Sequence, residues 1–189
     1  MKQTDLLEAL AASPIIAAVK DDRGLELSLT SGCPAVFILY GSVVTIAGLT
    51  DRVKRAGKAA LVHVDLIDGL SAREAAVDFI AAQTRADGIL STKSALIRHA
   101  KDLGLLAVQR FFLLDSMALE AVRSQAAREK ADLIEVLPGA MPKVLRGLTA
   151  KGAKPVIAGG LITDKEDVVA ALGAGACGVS SSNPAVWFL

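Results

Sequence analysis

The sequence predicts an α/β fold, a compact TIM-barrel-like (β/α)₈ barrel of parallel strands. Eight short apolar runs alternate with amphipathic segments along the whole chain, which is the element count of such a barrel. Most runs lack the polar alternation of a strand with one solvated face, as expected of strands covered on both faces. A doubly wound open sheet stays an alternative, because 189 residues is short for a barrel that usually needs about 200 or more.

The apolar runs define the predicted strands, and helix signals fill the intervals between them. In chain order the runs are Ile15–Val19, Ala35–Tyr40, Ala60–Asp65, Gly88–Ser91, Leu105–Phe111, Leu133–Leu137, Pro155–Ala158 and Ala176–Ser180. Two pairs have the spacing of capping boxes, which predicts that helices begin there: Ser71 with Glu74 and Thr163 with Glu166. Glycines stand where predicted helices should end, at Gly57, Gly104, Gly152 and Gly173.

Composition favours one domain over residues 1–189, since the chain is 52% hydrophobic and no Pro/Ser-rich linker divides it. The net charge of +1 gives no general attraction to nucleic acid. Cys33 and Cys177 have no metal or redox spacing, and the N-terminus lacks an apolar signal segment, so we expect a cytoplasmic protein. The uncharged stretch from Leu27 to Thr50 is broken by glycine and proline, which favours a strand and a helix over a membrane span.

Polar side chains stand at the predicted carboxyl ends of the strands, where parallel barrels bind their ligands. Alternation places His63 and Asp65 on one face of their strand. Each side chain alone is as compatible with a buried ion pair as with a ligand contact, but convergence on one rim favours a site. The mixed charges suit an anionic ligand that carries hydroxyl groups. The candidate ligand-binding residues are Lys20, His63, Asp65, Lys93, Arg110 and Glu135.

A phosphate site is predicted at the ends of the last two strands. Gly159 and Gly160 end the seventh apolar run, and Ser180 and Ser181 end the eighth, shortly before Pro184 at the start of a short helix. Phosphate sites of these barrels lie between the same two loops, where backbone N–H groups and hydroxyls donate to the anion. The alternative is that the two glycines only form a tight turn.

No metal site, cofactor or catalytic residue is predicted. His99, the only other histidine, falls within a predicted helix, and no acidic cluster has ligand spacing. The alternative function is an isomerase, epimerase or aldolase acting on a small phosphorylated metabolite. In that case Lys20 or Lys93 would form a Schiff base, and His63 with Asp65 would move protons.

Six strings along the chain resemble the glycerol uptake operon antiterminator family. They occur in the right order over nearly the whole sequence, at Pro14–Lys20, His63–Gly69, Asp87–Lys93, Gln109–Ser116, Ile134–Gly139 and Ala158–Ile162. The resemblance implies a TIM-barrel-like regulatory protein that responds to glycerol-3-phosphate and acts on leader mRNA, so that transcription passes a terminator and glycerol genes are expressed. By position, it implies that Gly159, Gly160, Ser180 and Ser181 hold the phosphate, beside a pocket lined by Lys20, Asp65, Lys93, Arg110 and Glu135.

The RNA-binding surface is weakly indicated, because aromatic residues are only 4% of the chain and no stacking platform is visible. An acid-free basic stretch is the first candidate: Lys143, Arg146, Lys151 and Lys154. A second comprises Lys54, Arg55 and Lys58. An ordinary solvated helix face would look the same, and a sensor acting through a protein partner would share the pocket. Assembly into a homo-oligomer is left open.

Overall fold

Eight parallel strands close into a barrel in which each strand pairs with the next along the chain and β8 pairs with β1. This computed structural model describes residues 1–128, 130–150 and 154–189. The strands are β1 Ile15–Val19, β2 Ala35–Ile38, β3 Ala59–His63, β4 Gly88–Ser91, β5 Leu106–Phe112, β6 Leu133–Leu137, β7 Val156–Gly159 and β8 Gly178–Ser181. The predicted barrel is confirmed, and the open sheet is wrong.

Helices alternate with the strands around the outside. They are α1 Gln3–Ala12, α2 Asp22–Thr30, α3 Ile46–Arg55, α4 Glu74–Gln83, α5 Ser94–Asp102, α6 Ser116–Arg128, α7 Pro142–Thr149 and α8 Lys165–Gly173. Two short 3₁₀ segments follow β3 and β8, at Val64–Leu66 and Pro184–Phe188. Within the described ranges, no helix is both long and apolar enough to cross a membrane.

The barrel interior is a packed apolar core, because inward-facing side chains of the strands meet on the axis. Phe37, Leu61 and Leu90 are fully buried there. Helix α1 adds Leu6 and Leu10 to the same cluster, both with at most 1% of their surface exposed. The N-terminal end of the barrel is thus covered by α1, and the polar site lies at the other end.

Ion pairs reinforce the amino ends of two strands. Asp87, just before β4, accepts from Lys54 Nζ at 2.7 Å and from the Ala60 N–H at 2.9 Å. Asp132, just before β6, makes the corresponding contacts with Lys101 Nζ at 2.8 Å and the Ala107 N–H at 2.9 Å. Each carboxylate thus joins a helix to the amino end of a strand: Asp87 joins α3 to β3, and Asp132 joins α5 to β5.

The second basic stretch is largely occupied by such contacts. Lys54 pairs with Asp87, and Arg55 pairs with Asp51 one turn earlier on α3. Lys58 is buried and donates to the carbonyl oxygens of Ser31 and Cys33 at 2.7 Å each. These side chains therefore have partners within the protein.

Several element boundaries differ from the predicted ones, and three of these differences concern a predicted site residue or helix cap. β3 ends at His63, and Asp65 falls in the following 3₁₀ turn, where its carboxylate accepts from the Thr92 N–H at 3.0 Å. Helix α4 begins at Glu74 after an uncapped Arg73, so the capping box at Ser71 is wrong. Helix α8 is capped by Asp164, which accepts from the Asp167 N–H, so its cap lies one residue beyond the predicted threonine.

Candidate functional site

A cavity of about 700 Å³ opens at the C-terminal ends of the strands. Its wall comes from β1, β5, β6 and β8 and from the connections after β1, β2, β3, β7 and β8. The lining residues are Ala18, Lys20, Leu39, Leu66, Arg110, Glu135, Leu137, Gly160, Leu161, Ile162, Thr163, Ser180, Ser181, Ser182 and Asn183. Most of the predicted rim residues from β1 and β5 to β8 thus share one cavity with several apolar side chains.

A buried network of three polar side chains forms one end of the cavity. Arg110 Nε donates to Glu135 Oε2 at 2.6 Å, and Ser180 Oγ donates to Glu135 Oε1 at 2.5 Å. Glu135 is fully buried, and Arg110 is 7% exposed. Burying a carboxylate is costly unless it is paired and hydrogen-bonded, and here both of its oxygens have partners.

Gly159 makes room for this network and does not line the cavity. A Cβ at this position would lie 2.6 Å from both Glu135 Oε1 and Ser180 Oγ. Only glycine lets β7 pass so close to the carboxylate and the hydroxyl. The structure therefore places Gly159 beside the polar network, with Gly160 as the glycine that borders the cavity.

The connection from β7 to α8 has an unusual backbone. Gly160 has φ +70° and Leu161 has φ +58°, the only non-glycine with positive φ among the described residues. A leucine in this region costs on the order of 1 kcal/mol and is held there by its surroundings. The side chain of Leu161 is 70% exposed at the cavity mouth. Within the described part of the chain, the backbone N–H groups of Leu161 and Ile162 have no protein acceptor.

Ser181 fastens the end of β8 to that connection. Its hydroxyl donates to the Ile162 carbonyl oxygen at 2.7 Å and accepts from the Asn183 N–H at 3.1 Å. Asn183 Nδ2 also donates to the Thr163 carbonyl oxygen at 2.9 Å. The Ser181 hydroxyl proton is thus used within the protein. The N–H of Ser182, also on the cavity lining, has no acceptor in the described ranges.

Three predicted site residues form a separate group after β3 and β4. Asp65 Oδ2 accepts from Ser91 Oγ at 2.8 Å, and Asp65 Oδ1 lies 3.6 Å from Lys93 Nζ. His63 Nδ1 lies 3.7 Å from Asp65 Oδ2. Burial, with a smaller contribution from Arg110, lowers the pKa of His63 from 6.5 to about 4. His63, Asp65 and Lys93 do not line the cavity.

Two buried atoms of this second group have no hydrogen-bond partner among the described residues, His63 Nδ1 and Asp65 Oδ1. The same residues offer no metal centre, since the described ranges contain no cluster of three or more His, Cys, Asp or Glu side chains able to hold a metal ion. The group joins the ends of β3 and β4, and Lys93, with a half-exposed side chain, faces solvent beside it.

The basic candidates for RNA binding lie on and after α7. Lys143 and Arg146 are exposed on the helix, and Lys154 is half-buried before β7. These three side chains have no ion pair within the described residues. Lys151 lies outside the described residues.

Sequence reasoning missed most of the apolar cavity wall. Leu39, Leu66 and Leu161 line the cavity, but an isolated leucine after a strand has no signal that separates it from core residues. Asn183 was detectable, because a Ser-Asn-Pro string predicts a cap before a proline at the first helical position.

Comparison with known proteins shows the family to which the chain belongs. The sequence profile of the family described as glycerol-3-phosphate responsive antiterminator matches residues 15–187. The chain belongs to the glycerol-3-phosphate responsive antiterminator family. The resemblance noted from the six strings is confirmed.

Relatives of this antiterminator family align over nearly their full length. The uncharacterized protein YgcP of Escherichia coli (strain K12) is 42% identical over 184 residues, which is 97% of this chain and 96% of YgcP. The crystal structure of the glycerol uptake operon antiterminator regulatory protein from Listeria monocytogenes str. 4b F2365 is 34% identical, with a TM-score of 0.88, covering 93% of this chain and 95% of that one.

A second antiterminator structure supports the same placement. The glycerol uptake operon antiterminator-related protein from Thermotoga maritima MSB8 is 33% identical, with a TM-score of 0.79, covering 92% of this chain and 96% of that one. Aldolase barrels at 13–17% identity share the fold alone. Two relatives that are more than 30% identical carry a role in their names. One is named as an antiterminator regulatory protein and the other as an antiterminator-related protein.

Proposed function

We propose that this protein is a glycerol-3-phosphate-responsive transcription antiterminator. Glycerol-3-phosphate binds in the cavity, and the liganded protein binds leader mRNA and lets transcription pass a terminator, which raises the expression of glycerol genes. Family membership and the names of the Listeria and Thermotoga relatives support the regulatory role. The hydrogen-bond donors around the cavity support the assignment of glycerol-3-phosphate as the ligand.

The single observation that carries the ligand assignment is the set of unsatisfied donors at the ends of β7 and β8. The backbone N–H groups of Leu161, Ile162 and Ser182 have no acceptor within the described residues, and all three residues line the cavity. Lys20 and Arg110 add positive charge to the same lining. Phosphate binds where backbone N–H groups and cationic side chains converge.

We assign different tasks to the predicted site residues. Gly160 and the residues after it hold the phosphate, together with Lys20, and Ser180 with Glu135 faces the glycerol hydroxyls. Gly159 and Ser181 act indirectly, because one makes room for the polar network and the other fastens the phosphate loop. His63, Asp65 and Lys93 shape the neighbouring rim.

Isothermal titration calorimetry with glycerol-3-phosphate tests the ligand assignment. Lys20→Met removes a cation from the cavity lining, and we expect about tenfold weaker binding because one charge-assisted hydrogen bond is lost. Lys2→Met removes an exposed lysine that precedes α1 at the opposite end of the barrel, so its affinity should equal that of the wild type. No detectable binding to the wild type, or equal losses in the two variants, would contradict the assignment.

The proposed RNA surface is α7 with the segment after it. Residues 136–163 contain Lys143, Arg146, Lys151 and Lys154 and no acidic residue. Such a local excess of positive charge attracts phosphates even though the whole chain is nearly neutral. Because a ligand shifts an equilibrium only through different affinities for its two states, leader RNA should bind more tightly with glycerol-3-phosphate present. Equal RNA affinity with and without the ligand would exclude the gating.

We propose a regulator that does no chemistry on its ligand. Lys20 is the lysine on the described cavity lining, so it is the residue from which a Schiff base would have to form. Incubation with a ketose phosphate and sodium borohydride should leave the protein mass unchanged. A covalent adduct on Lys20, abolished in Lys20→Met, would favour the enzyme alternative.

A further inference from the structure

The direction of one hydroxyl proton limits what this cavity can bind. Glu135 is paired with Arg110, so its carboxylate is ionised and only accepts hydrogen bonds. Ser180 Oγ lies 2.5 Å from Glu135 Oε1, so the single hydroxyl proton of Ser180 is committed to the carboxylate. Toward the cavity, the serine oxygen can therefore only accept.

The two sides of the polar network then differ in what they offer a ligand. Arg110 uses Nε for Glu135 at 2.6 Å, while its terminal nitrogens make no hydrogen bond with the described residues and can only donate. Ser180 and Glu135 can only accept. A ligand oxygen placed beside Ser180 must therefore carry a proton.

We propose that Glu135, by orienting Ser180, makes the site select phosphate esters that present an alcohol and reject the corresponding ketone. This inference rests on the proposed function, since it assumes that a three-carbon phosphate ester occupies the cavity. The secondary hydroxyl of glycerol-3-phosphate donates to Ser180. The ketone oxygen of dihydroxyacetone phosphate has no proton and would face acceptors, leaving both oxygens unpaired.

The consequence for regulation is that the protein distinguishes the reduced metabolite from its oxidised counterpart, although the two have the same phosphate and nearly the same shape. An unpaired buried acceptor is penalised enough to weaken binding by about 10- to 100-fold. Glu135 is a positioning residue in this scheme, because it acts on the ligand through Ser180. The contact between Glu135 and Ser180 also requires Gly159, since any Cβ there would collide with Glu135 Oε1 and Ser180 Oγ.

Glu135→Gln tests the orienting role directly. The Gln carbonyl oxygen can accept from Arg110, and its amide then donates to Ser180 Oγ, which turns the serine proton toward the cavity. Ser180 becomes a donor, so the ketone should gain affinity and the alcohol should lose it. We expect the preference for glycerol-3-phosphate to fall to about threefold or less, or to reverse.

Ser180→Ala keeps the proposal testable if Glu135→Gln does not fold. It removes the acceptor without adding bulk beside Gly159, and the preference should again fall to about threefold or less. Ser181→Ala is the matched control, because it removes the neighbouring hydroxyl, which bonds to Ile162 and Asn183 rather than to Glu135. It should weaken both ligands equally and leave their ratio unchanged.

The measurement is the dissociation constant of glycerol-3-phosphate, of dihydroxyacetone phosphate and of 3-hydroxypropyl phosphate, which lacks an oxygen on its second carbon. Trp187, the sole tryptophan, donates from Nε1 to the Ser181 carbonyl oxygen at 2.7 Å and provides a fluorescence signal beside the site. At least tenfold tighter binding of the alcohol than of both other esters supports the proposal.

Equal affinities for the alcohol and the ketone would overturn the selectivity and leave the proposed function standing. A preference that persists unchanged in Ser180→Ala would also overturn it, since the selectivity would then come from another group. Failure of all three esters to bind would reject the proposed ligand and the selectivity together.

Discussion

The hydroxyl of Ser181 donates to the carbonyl oxygen of Ile162 at 2.7 Å, and this contact joins the end of β8 to the connection that follows β7. The two segments supply the backbone donors proposed to hold a phosphate. Their relative position is set by the protein before a ligand arrives, which lowers the cost of ordering them on binding.

Gly160→Ala should weaken both the fold and the phosphate site. Gly160 has φ +70°, and an added Cβ would lie 3.2 Å from Leu137 Cδ2. We expect a loss of about 1–2 kcal/mol in the free energy of unfolding and at least tenfold weaker glycerol-3-phosphate binding. Urea unfolding and calorimetry measure the two effects.

Gly57→Ala is the matched control, because Gly57 has φ +75° but no atom within 4 Å of an added Cβ, and it lies at the end of α3 away from the cavity. It should lower stability by a similar backbone cost and leave ligand affinity unchanged. Full affinity in Gly160→Ala would show that the loop conformation does not matter for binding.

Gly159→Ala should break the Arg110–Glu135–Ser180 network. The new methyl group would lie 2.6 Å from two oxygens of that network, closer than Cβ atoms approach oxygen. Displacing Glu135 leaves Arg110 without its partner in a buried site, so we expect about 3–5 kcal/mol lower stability in urea unfolding. A stability within about 0.5 kcal/mol of the wild type would mean that the network has room to move.

The stability of the protein should depend on pH through His63. Its pKa is about 4 in the folded protein and 6.5 when free, so the unfolded chain binds more protons between these values. Stability is complete above pH 6.5 and is lost as the pH falls toward 4, by up to about 3 kcal/mol from this residue. His63→Asn should flatten the slope in that window. His99→Gln, which removes the other histidine, should retain it.

Charge reversal on α7 should weaken RNA binding without affecting the ligand. Lys143→Glu with Arg146→Glu removes two exposed cations, and we expect leader RNA to bind at least tenfold more weakly in a filter-binding assay. The salt dependence should also become shallower by about one to two released counterions. Arg23→Glu, an exposed charge reversal on α2, should bind RNA as the wild type does. Unchanged RNA affinity in the α7 variant would show that the RNA binds to another surface of the protein.

Much of the fold could be predicted from the sequence, because strands buried on both faces leave continuous apolar runs. β6 was placed without error, since Leu133–Leu137 is apolar except for an inward glutamate. The predicted β3 ends two residues beyond the observed end at His63. The tertiary contact of Asp65 with the Thr92 N–H ends that strand in a 3₁₀ turn, and no local pattern announces a partner 27 residues away.

The residues of the candidate site could be predicted from the sequence better than the contacts among them. The predicted strand ends identified Arg110, Glu135 and Ser180, because parallel barrels bind their ligands at these ends. Sequence alone could not show that Glu135 binds both of the others while Asp65 gathers His63 and Lys93 elsewhere on the rim. Which neighbours meet depends on strand tilt and side-chain rotamers, neither of which is written in the spacing of residues.

Leu6 and Leu10 of α1 pack against the barrel interior and cover its N-terminal end. The cavity opens at the opposite end of the barrel, among the loops that follow the strands. Helix α7 starts on the same face at Pro142, directly after the loop that follows β6 and its Glu135. The cavity and the start of helix α7 thus lie at the same end of the barrel, opposite the end that α1 covers.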